Sequence, residues 1–317
     1  MQVVRRVAMI VFPLIQKIAE LFLIIFAAAA LVKAKILRRE DGRLLSRVSL
    51  YLVTPCVIFY SFQKDLTPEV SHGLLAAVLL AVIFHLIFIL IVWFLRRFWK
   101  ATEVEQASII FTNGGNLIIP LVSYVLGQEW LIYVSAYIAV FNILFWTYGI
   151  RLFDRDTPFR LKTVLLNPNV LAVLLGLTGL LAGFRLPGIL DIAFSDIAGM
   201  IGPLSMIITG IVLGSMNLRE LFSNRRVIPV VLFRMLLCSG AAVVFAILSG
   251  ISGRFASGHQ IVMIVLLSAI APSASNINQL AILYNHDADY ATSINILTLL
   301  FCIITMPVWI YIFEKFA

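Results

Sequence analysis

The feature that most constrains this chain is a succession of apolar runs that continues from near its first residue to near its last. A helix that crosses a lipid bilayer needs about 20 mostly apolar residues. Hydrophobic residues make up 62% of the 317-residue chain and charged residues 13%, whereas about a quarter of a soluble domain is charged. The sequence therefore predicts an all-α integral membrane protein in which residues 1–317 form a single membrane domain.

Short polar breaks divide the apolar runs into ten predicted transmembrane helices. These spans cover residues 12–32, 48–63, 71–95, 105–126, 130–151, 168–184, 195–215, 228–249, 260–284 and 291–313. Two copies of a five-span unit must insert with opposite orientation, which is the inverted-repeat plan of many secondary transporters. We expect a first repeat at 12–151 and a second at 168–313.

Positive charge alternates between the loops. The loops after odd-numbered spans contain Lys33, Lys35, Arg38, Arg39, Arg43, Arg47, Arg96, Arg97, Lys100, Arg151, Arg155, Arg160, Lys162, Arg219, Arg225 and Arg226, and the even-numbered loops contain only Lys64, Arg185 and Arg254. Cytoplasmic loops carry the excess of Lys and Arg, so both termini are predicted outside the cytoplasm. Charge scattered in this way does not form the single basic surface that nucleic acid needs.

Two spans contain a matched interruption. Span 4 carries FTNGGNLIIP at 111–120, and span 9 carries IAPSASNINQ at 270–279. Proline removes a backbone donor and clashes with the preceding turn, so both helices should break. Unwound backbone at membrane depth is stable only against protein or a wet cavity, and free amides at helix N-termini favour an anion such as a carboxylate. The alternative is that these residues only kink two packing helices.

These segments resemble the auxin efflux carrier family, which includes plant auxin carriers and bacterial malate or malonate permeases. The similarity extends through YLVTPCVIFYSF at 51–62, NPNVLAVLLGL at 167–177, GPLSMIITGIVLGSM at 202–216 and APSASNINQLAILYNHDADYAT at 271–292. The resemblance implies a secondary transporter rather than an enzyme, which moves a small organic anion, such as a mono- or dicarboxylate, across a bacterial inner membrane. The sequence indicates no cofactor, and the unpaired spacing of Cys56, Cys238 and Cys302 indicates no zinc site. The resemblance implies a homodimer.

The same resemblance implies an elevator-like motion and a substrate site. Spans 3–5 and 8–10 would move against a scaffold of spans 1, 2, 6 and 7, with the broken spans crossing at Pro120 and Pro272 and with Asn142 facing the same site. Ile118 replaces a glycine usual in the family, and Asn116 is an additional polar group. The residues expected to bind substrate are Asn113, Gly115, Asn116, Pro120, Asn142, Pro272, Ser273, Ser275 and Asn276.

Two other functions are alternatives. A sodium-coupled organic anion symporter of the bile acid carrier type would hold Na⁺ with backbone carbonyls and Asn side chains. An intramembrane serine protease is the more remote alternative, because Ser252 lies in a GxSG-like sequence with His259 nearby, although both fall in a predicted outer loop. Ionisable residues inside spans are functional candidates. The sequence leaves Arg234 between snorkelling and the cavity, and His85 between packing and proton transfer.

Overall fold

The computed structural model of the chain describes residues 2–63, 65, 67–154, 162, 165–215 and 225–317, and helices account for most of this part. The helices are α1 (Gln2–Lys33), α2 (Arg39–Ser61), α3 (Pro68–Trp99), α4 (Glu103–Ile110), α5 (Ile119–Val125), α6 (Gln128–Phe153), α7 (Pro168–Leu181), α8 (Gly188–Ser215), α9 (Val227–Leu248), α10 (Gly258–Ile270), α11 (Asn276–Leu283) and α12 (Ala288–Phe316).

Helix length and composition agree with a membrane protein. Among the described residues, six helices are long and apolar enough to cross a membrane, namely α2, α3, α6, α8, α9 and α12. Helices α7 and α10 are shorter apolar helices. The all-helical membrane class is therefore confirmed, while the ten spans and their inverted repeat stay predictions.

The first two helices extend beyond their predicted bounds. Helix α1 begins at Gln2 rather than at 12, and α2 begins at Arg39 rather than at 48. The Asp41 carboxylate accepts a hydrogen bond from the backbone N–H of Arg38 (2.7 Å), which satisfies a free donor where α2 starts. Charged residues assigned to the first loop therefore lie on a helix. The predicted loop residues Lys64, Arg155, Arg160 and Arg219 lie outside the described residues.

One group of helices is formed by α1, α2, α7 and α8. Helix α1 lies so close to α8 that a Cβ added at Gly210 would collide with the carbonyl oxygen of Ile25, and one at Gly214 would lie 2.7 Å from that of Ala29. Small residues four apart let two membrane helices approach to backbone contact. Gly176 allows a similarly close approach between α7 and the end of α2, where an added Cβ would lie 2.6 Å from the Phe62 ring.

A second group is formed by α3, α4, α6, α9, α10 and α12. Helix α3 packs between α6 and α10, and a Cβ added at Gly73 would lie 2.6 Å from Ile261 and 2.9 Å from Tyr133. Within this group, α4 and α10 both end in the interior of the protein. The residues that follow them form the candidate site.

Candidate functional site

The chain leaves helical geometry where α4 and α10 end, and the two non-helical segments pair with each other. We call this feature the crossover, and it consists of residues 111–113 and 271–274. The N–H of Asn113 donates to the carbonyl of Pro272 (2.7 Å), and the N–H of Ala274 donates to that of Phe111 (3.0 Å). These bonds satisfy buried backbone groups that unwinding would otherwise leave without partners.

Side chains from α6 and α12 hold the crossover in place. Thr112 and Ser273 face each other in an antiparallel bridge. The Ser273 N–H donates to Thr298 Oγ1 (3.1 Å), and Asn295 Nδ2 donates to the Ser273 carbonyl (2.5 Å). The hydroxyl of Tyr137 lies 3.0 Å from Thr112 Oγ1. Each strand of the crossover is therefore fixed by a neighbouring helix as well as by its partner.

Arg234, in a π-helical turn of α9, connects the C-terminal ends of α4 and α10. Its guanidinium donates to the carbonyls of Ile109 (3.2 Å) and Ala271 (2.9 and 3.1 Å), and to that of Ala269. It is fully buried and lies 4.8 Å from the centroid of the Phe88 ring. Helix C-termini leave carbonyl oxygens without partners and carry partial negative charge. One cation therefore satisfies both helix ends at once.

The guanidinium of Arg234 forms no ion pair with a carboxylate in the described part of the chain, and it donates to backbone carbonyls. The buried carboxylate of Glu105 is paired elsewhere. It accepts from Arg226 Nη2 (3.0 Å) and from the Tyr290 hydroxyl (2.9 Å). The crossover therefore lies beside a fixed positive charge, which favours a bound anion.

Five of the predicted substrate-binding residues lie in the crossover or at its edge: Asn113, Pro272, Ser273, Ser275 and Asn276. Asn113 is buried, and its side chain does not cap the π-helical turn that follows it. The Ser273 hydroxyl is buried and has no hydrogen-bond partner among the described residues. Ser275 precedes α11, and Asn276 is the first residue of that helix. These positions stay candidates for substrate contact.

The glycines after Asn113 differ in what surrounds them. A Cβ added at Gly114 would lie 3.2 Å from the Tyr137 ring, whereas one at the predicted Gly115 would meet only Ile138, at 3.7 Å. Gly114 is therefore the position that packing restricts more tightly. Asn116 lies in the π-helical turn Gly114–Ile118, and its side chain is outside the described part of the structure.

Pro120 does not lie at the crossing point that the family resemblance implies. It occupies the first turn of α5, where a Cβ added at Gly202 of α8 would lie 3.0 Å from its ring. Proline is well tolerated in a first helical turn because the N–H it lacks has no helical partner there. The strands cross at Thr112 and Ser273 instead.

The structure does not bring Asn142 into the hydrogen bonds of the crossover. Its Nδ2 donates to the carbonyl of Ile138 (3.0 Å), one turn earlier in α6. Polar side chains in a helix often satisfy themselves in this way. The role of Asn142 towards substrate stays a prediction.

Two histidines have structural partners. His85 is fully buried, its Nδ1 lies 2.7 Å from the carbonyl of Ala81, and its ring packs 5.0 Å from that of Tyr137. His259 Nε2 lies 2.8 Å from Glu314 Oε1. The His259 contact joins the first turn of α10 to α12, and the geometry of His85 is that of a packing residue.

Sequence reasoning missed the residues that support the crossover from outside it. Tyr137, Asn295 and Thr298 reach the crossover only in the folded chain. Asn295 and Thr298 are three residues apart, so they share one face of α12. A polar pair on one face of an apolar span is the signal that would have indicated them.

A comparison with protein-family models identifies the family. The model described as a membrane transport protein matches residues 13–163 and 157–310. The chain belongs to the auxin efflux carrier family. The resemblance is thereby confirmed, and the auxin efflux carrier family consists of transporters rather than enzymes. Together with the apolar helices, membership makes the chain an integral membrane transport protein. A search of individually curated proteins finds no match.

Proposed function

We propose that this protein is a secondary transporter that carries a small organic anion, such as a mono- or dicarboxylate, and binds it at the crossover. The observation that carries the proposal is the buried guanidinium of Arg234, which joins both interrupted helices and forms no ion pair with a carboxylate among the described residues. A charge in a low-dielectric interior acts strongly on its surroundings. A carboxylate at the crossover would balance it.

The chain beyond the crossover offers neutral donors to such an anion. The π-helical turn Gly114–Ile118 and helix α11 both begin there, and the first N–H groups of a helix favour negative charge. The Ser273 hydroxyl and the Asn113 carboxamide lie at the same place. We propose that they orient the carboxylate while Arg234 acts through the backbone.

The packing supports alternating access by an elevator-like motion. Helices α1, α2, α7 and α8 would form the scaffold, and the group that contains α4 and α10 would move with the substrate. Helix α1 packs on α8, and α7 packs on α2. Two inverted repeats of five spans would produce this pairing, because the first helix of each repeat packs on the second helix of the other. Both termini would lie outside the cytoplasm, and a bacterial inner membrane is the proposed location.

The sodium-coupled alternative needs Na⁺ ligands other than the carbonyl groups at the ends of α4 and α10. The carbonyls of Ile109 and Ala271 are the kind of oxygen ligand that a cation takes, and they accept hydrogen bonds from Arg234. A second cation beside the guanidinium would be repelled. We therefore favour a transporter that does not bind Na⁺ between these two helix ends.

Ligand-dependent thermal unfolding of the purified protein tests the proposal. A ligand that binds only the folded state raises the unfolding temperature. We expect mono- or dicarboxylates to stabilise the protein equally with and without sodium, and organic cations of similar size to have no effect. Stabilisation by carboxylates only in the presence of sodium would favour the symporter, and stabilisation by cations would contradict an anion site.

A further inference from the structure

A cavity distinct from the crossover lies where α3 and α6 end and α4 begins. Its volume is about 310 Å³, which is at the lower end of the range for ligand sites, roughly 300–1,000 Å³. It is lined by Arg96, Glu103, Gln106, Tyr148, Arg151 and Leu152. Gln106 lies four residues before the end of α4 at Ile110, so about 6 Å of helix separates it from the start of the crossover.

The cavity carries excess positive charge. Arg96 and Arg151 are exposed, and within the described residues no hydrogen bond or ion pair engages either guanidinium. The carboxylate of Glu103 also lines the cavity, but it lies 3.9 Å from Nδ1 of His286. Two guanidinium groups beside one carboxylate leave room for an anion. Arginine binds phosphate and carboxylate groups through paired hydrogen bonds.

Gln106 indicates that the ligand carries a hydrogen-bond donor. It is 4% exposed, and its Nε2 donates to the carbonyl of Ala101 (2.7 Å), which fixes the orientation of the amide. Its Oε1 is buried without a hydrogen-bond partner in the described part of the chain. A buried acceptor without a partner is destabilising, and Gln106 lines the cavity. A ligand with an N–H or O–H group would satisfy this oxygen.

We propose that this cavity binds a phosphate or carboxylate group that also carries an amine or hydroxyl donor. A phospholipid headgroup such as phosphoethanolamine has this chemistry, and so does the free phosphoester. The headgroup is the source we favour, because the exposed side chains of Leu86, Leu90 and Trp93 extend along α3 towards Arg96 and would lie beside the acyl chains. Basic pockets between helices at a membrane face recognise headgroups in this manner.

Ethanolamine and choline ligands provide a matched comparison, because the quaternary ammonium of choline has no N–H. Thermal unfolding of the detergent-purified protein is measured against short-chain phosphatidylethanolamine, short-chain phosphatidylcholine, and the free phosphoethanolamine and phosphocholine. The variants are the double substitution Arg96→Gln with Arg151→Gln, and Arg97→Gln as a control on the same helix that does not line the cavity. All three arginines are exposed, so we expect all these proteins to fold.

We expect the ethanolamine compounds to bind at least about tenfold more tightly than the choline compounds. The double variant should lose this binding, and Arg97→Gln should keep it. Stabilisation by the lipid alone identifies a headgroup site, and equal stabilisation by free phosphoethanolamine identifies a soluble ligand. Equal affinity for ethanolamine and choline ligands, or unchanged affinity in the double variant, overturns the proposal.

Discussion

Replacing Arg234 with methionine should weaken both the fold and the crossover. The substitution keeps an unbranched side chain of similar length but removes every donor from the ends of α4 and α10. The carbonyls of Ile109, Ala269 and Ala271 then lose the partner that they share. Arg234→Lys keeps the charge, but its single ammonium group lacks the planar fork that reaches both helix ends.

The magnitude follows from the number of carbonyls and from the cost of burying the cation. Each buried polar group without a partner costs about 1–3 kcal/mol, so the carbonyls of Ile109, Ala269 and Ala271 together cost about 3–9 kcal/mol. Removing the guanidinium also removes its desolvation penalty, which is several kcal/mol. Relief of that penalty offsets part of the cost of the three carbonyls, so we expect a net loss in the lower half of this range, about 3–5 kcal/mol in the free energy of unfolding.

Thermal unfolding of the detergent-purified variants measures this loss. A loss of about 3–5 kcal/mol corresponds to a decrease of roughly 6–20 °C in the unfolding temperature. Arg254→Met is the matched control, because Arg254 is exposed in the loop between α9 and α10. We expect Arg234→Lys to fall between the parent and Arg234→Met. If Arg234→Met unfolds at the same temperature as Arg254→Met and still transports, Arg234 does not hold the crossover together.

Three further predictions concern helix packing, the Glu105 site and topology. Gly214→Leu should cost about 1–3 kcal/mol, because a Cβ there would lie 2.7 Å from the Ala29 carbonyl oxygen. At Gly199 no described atom lies within 4 Å of an added Cβ, so Gly199→Ala should unfold like the parent. Equal losses of stability in the two variants would contradict the α1–α8 contact. Tyr290→Phe removes the donor 2.9 Å from Glu105 and should cost about 1.5–3 kcal/mol, so unchanged unfolding would show that bond to be dispensable. A reporter fused to the C-terminus should be active only outside the cytoplasm, and activity only inside would reverse the proposed orientation.

Features that depend on local sequence were predicted well. Helices α3 (Pro68–Trp99) and α6 (Gln128–Phe153) enclose the predicted spans 71–95 and 130–151, because apolar length alone identifies such helices. The interruptions also fall within the predicted segments. Pro272 lies in the crossover, but in the first segment the chain unwinds at Thr112 rather than at Pro120. Proline is compatible with a first helical turn, and the extended residues are selected by pairing between distant segments.

The arrangement around Arg234 could not be predicted from the sequence. An arginine deep in an apolar span indicated a functional or structural role, but its partners are backbone carbonyls, which no side-chain pattern reveals. Ile109 and Ala271 are far from Arg234 in the sequence and meet it only when α4 and α10 end side by side. Asn142 differs from Arg234 because its partner is local. Its Nδ2 donates to a carbonyl one turn earlier in its own helix.

Uptake of a carboxylate into proteoliposomes by Asn113→Asp tests anion binding at the crossover most directly. The substitution is nearly isosteric but places a negative charge beside the proposed carboxylate. Asn285→Asp is the control, because Asn285 is exposed in the turn after α11. The substrate is the labelled carboxylate that stabilises the parent most in thermal unfolding.

We expect Asn113→Asp to lose uptake, with affinity reduced by about tenfold to a hundredfold or more, because a hydrogen bond to a charged group is worth about 1.5–3 kcal/mol and the added charge repels the anion. Asn285→Asp should transport like the parent. Parental uptake by Asn113→Asp at neutral pH, with the aspartate shown to be ionised, would contradict an anion site at the crossover.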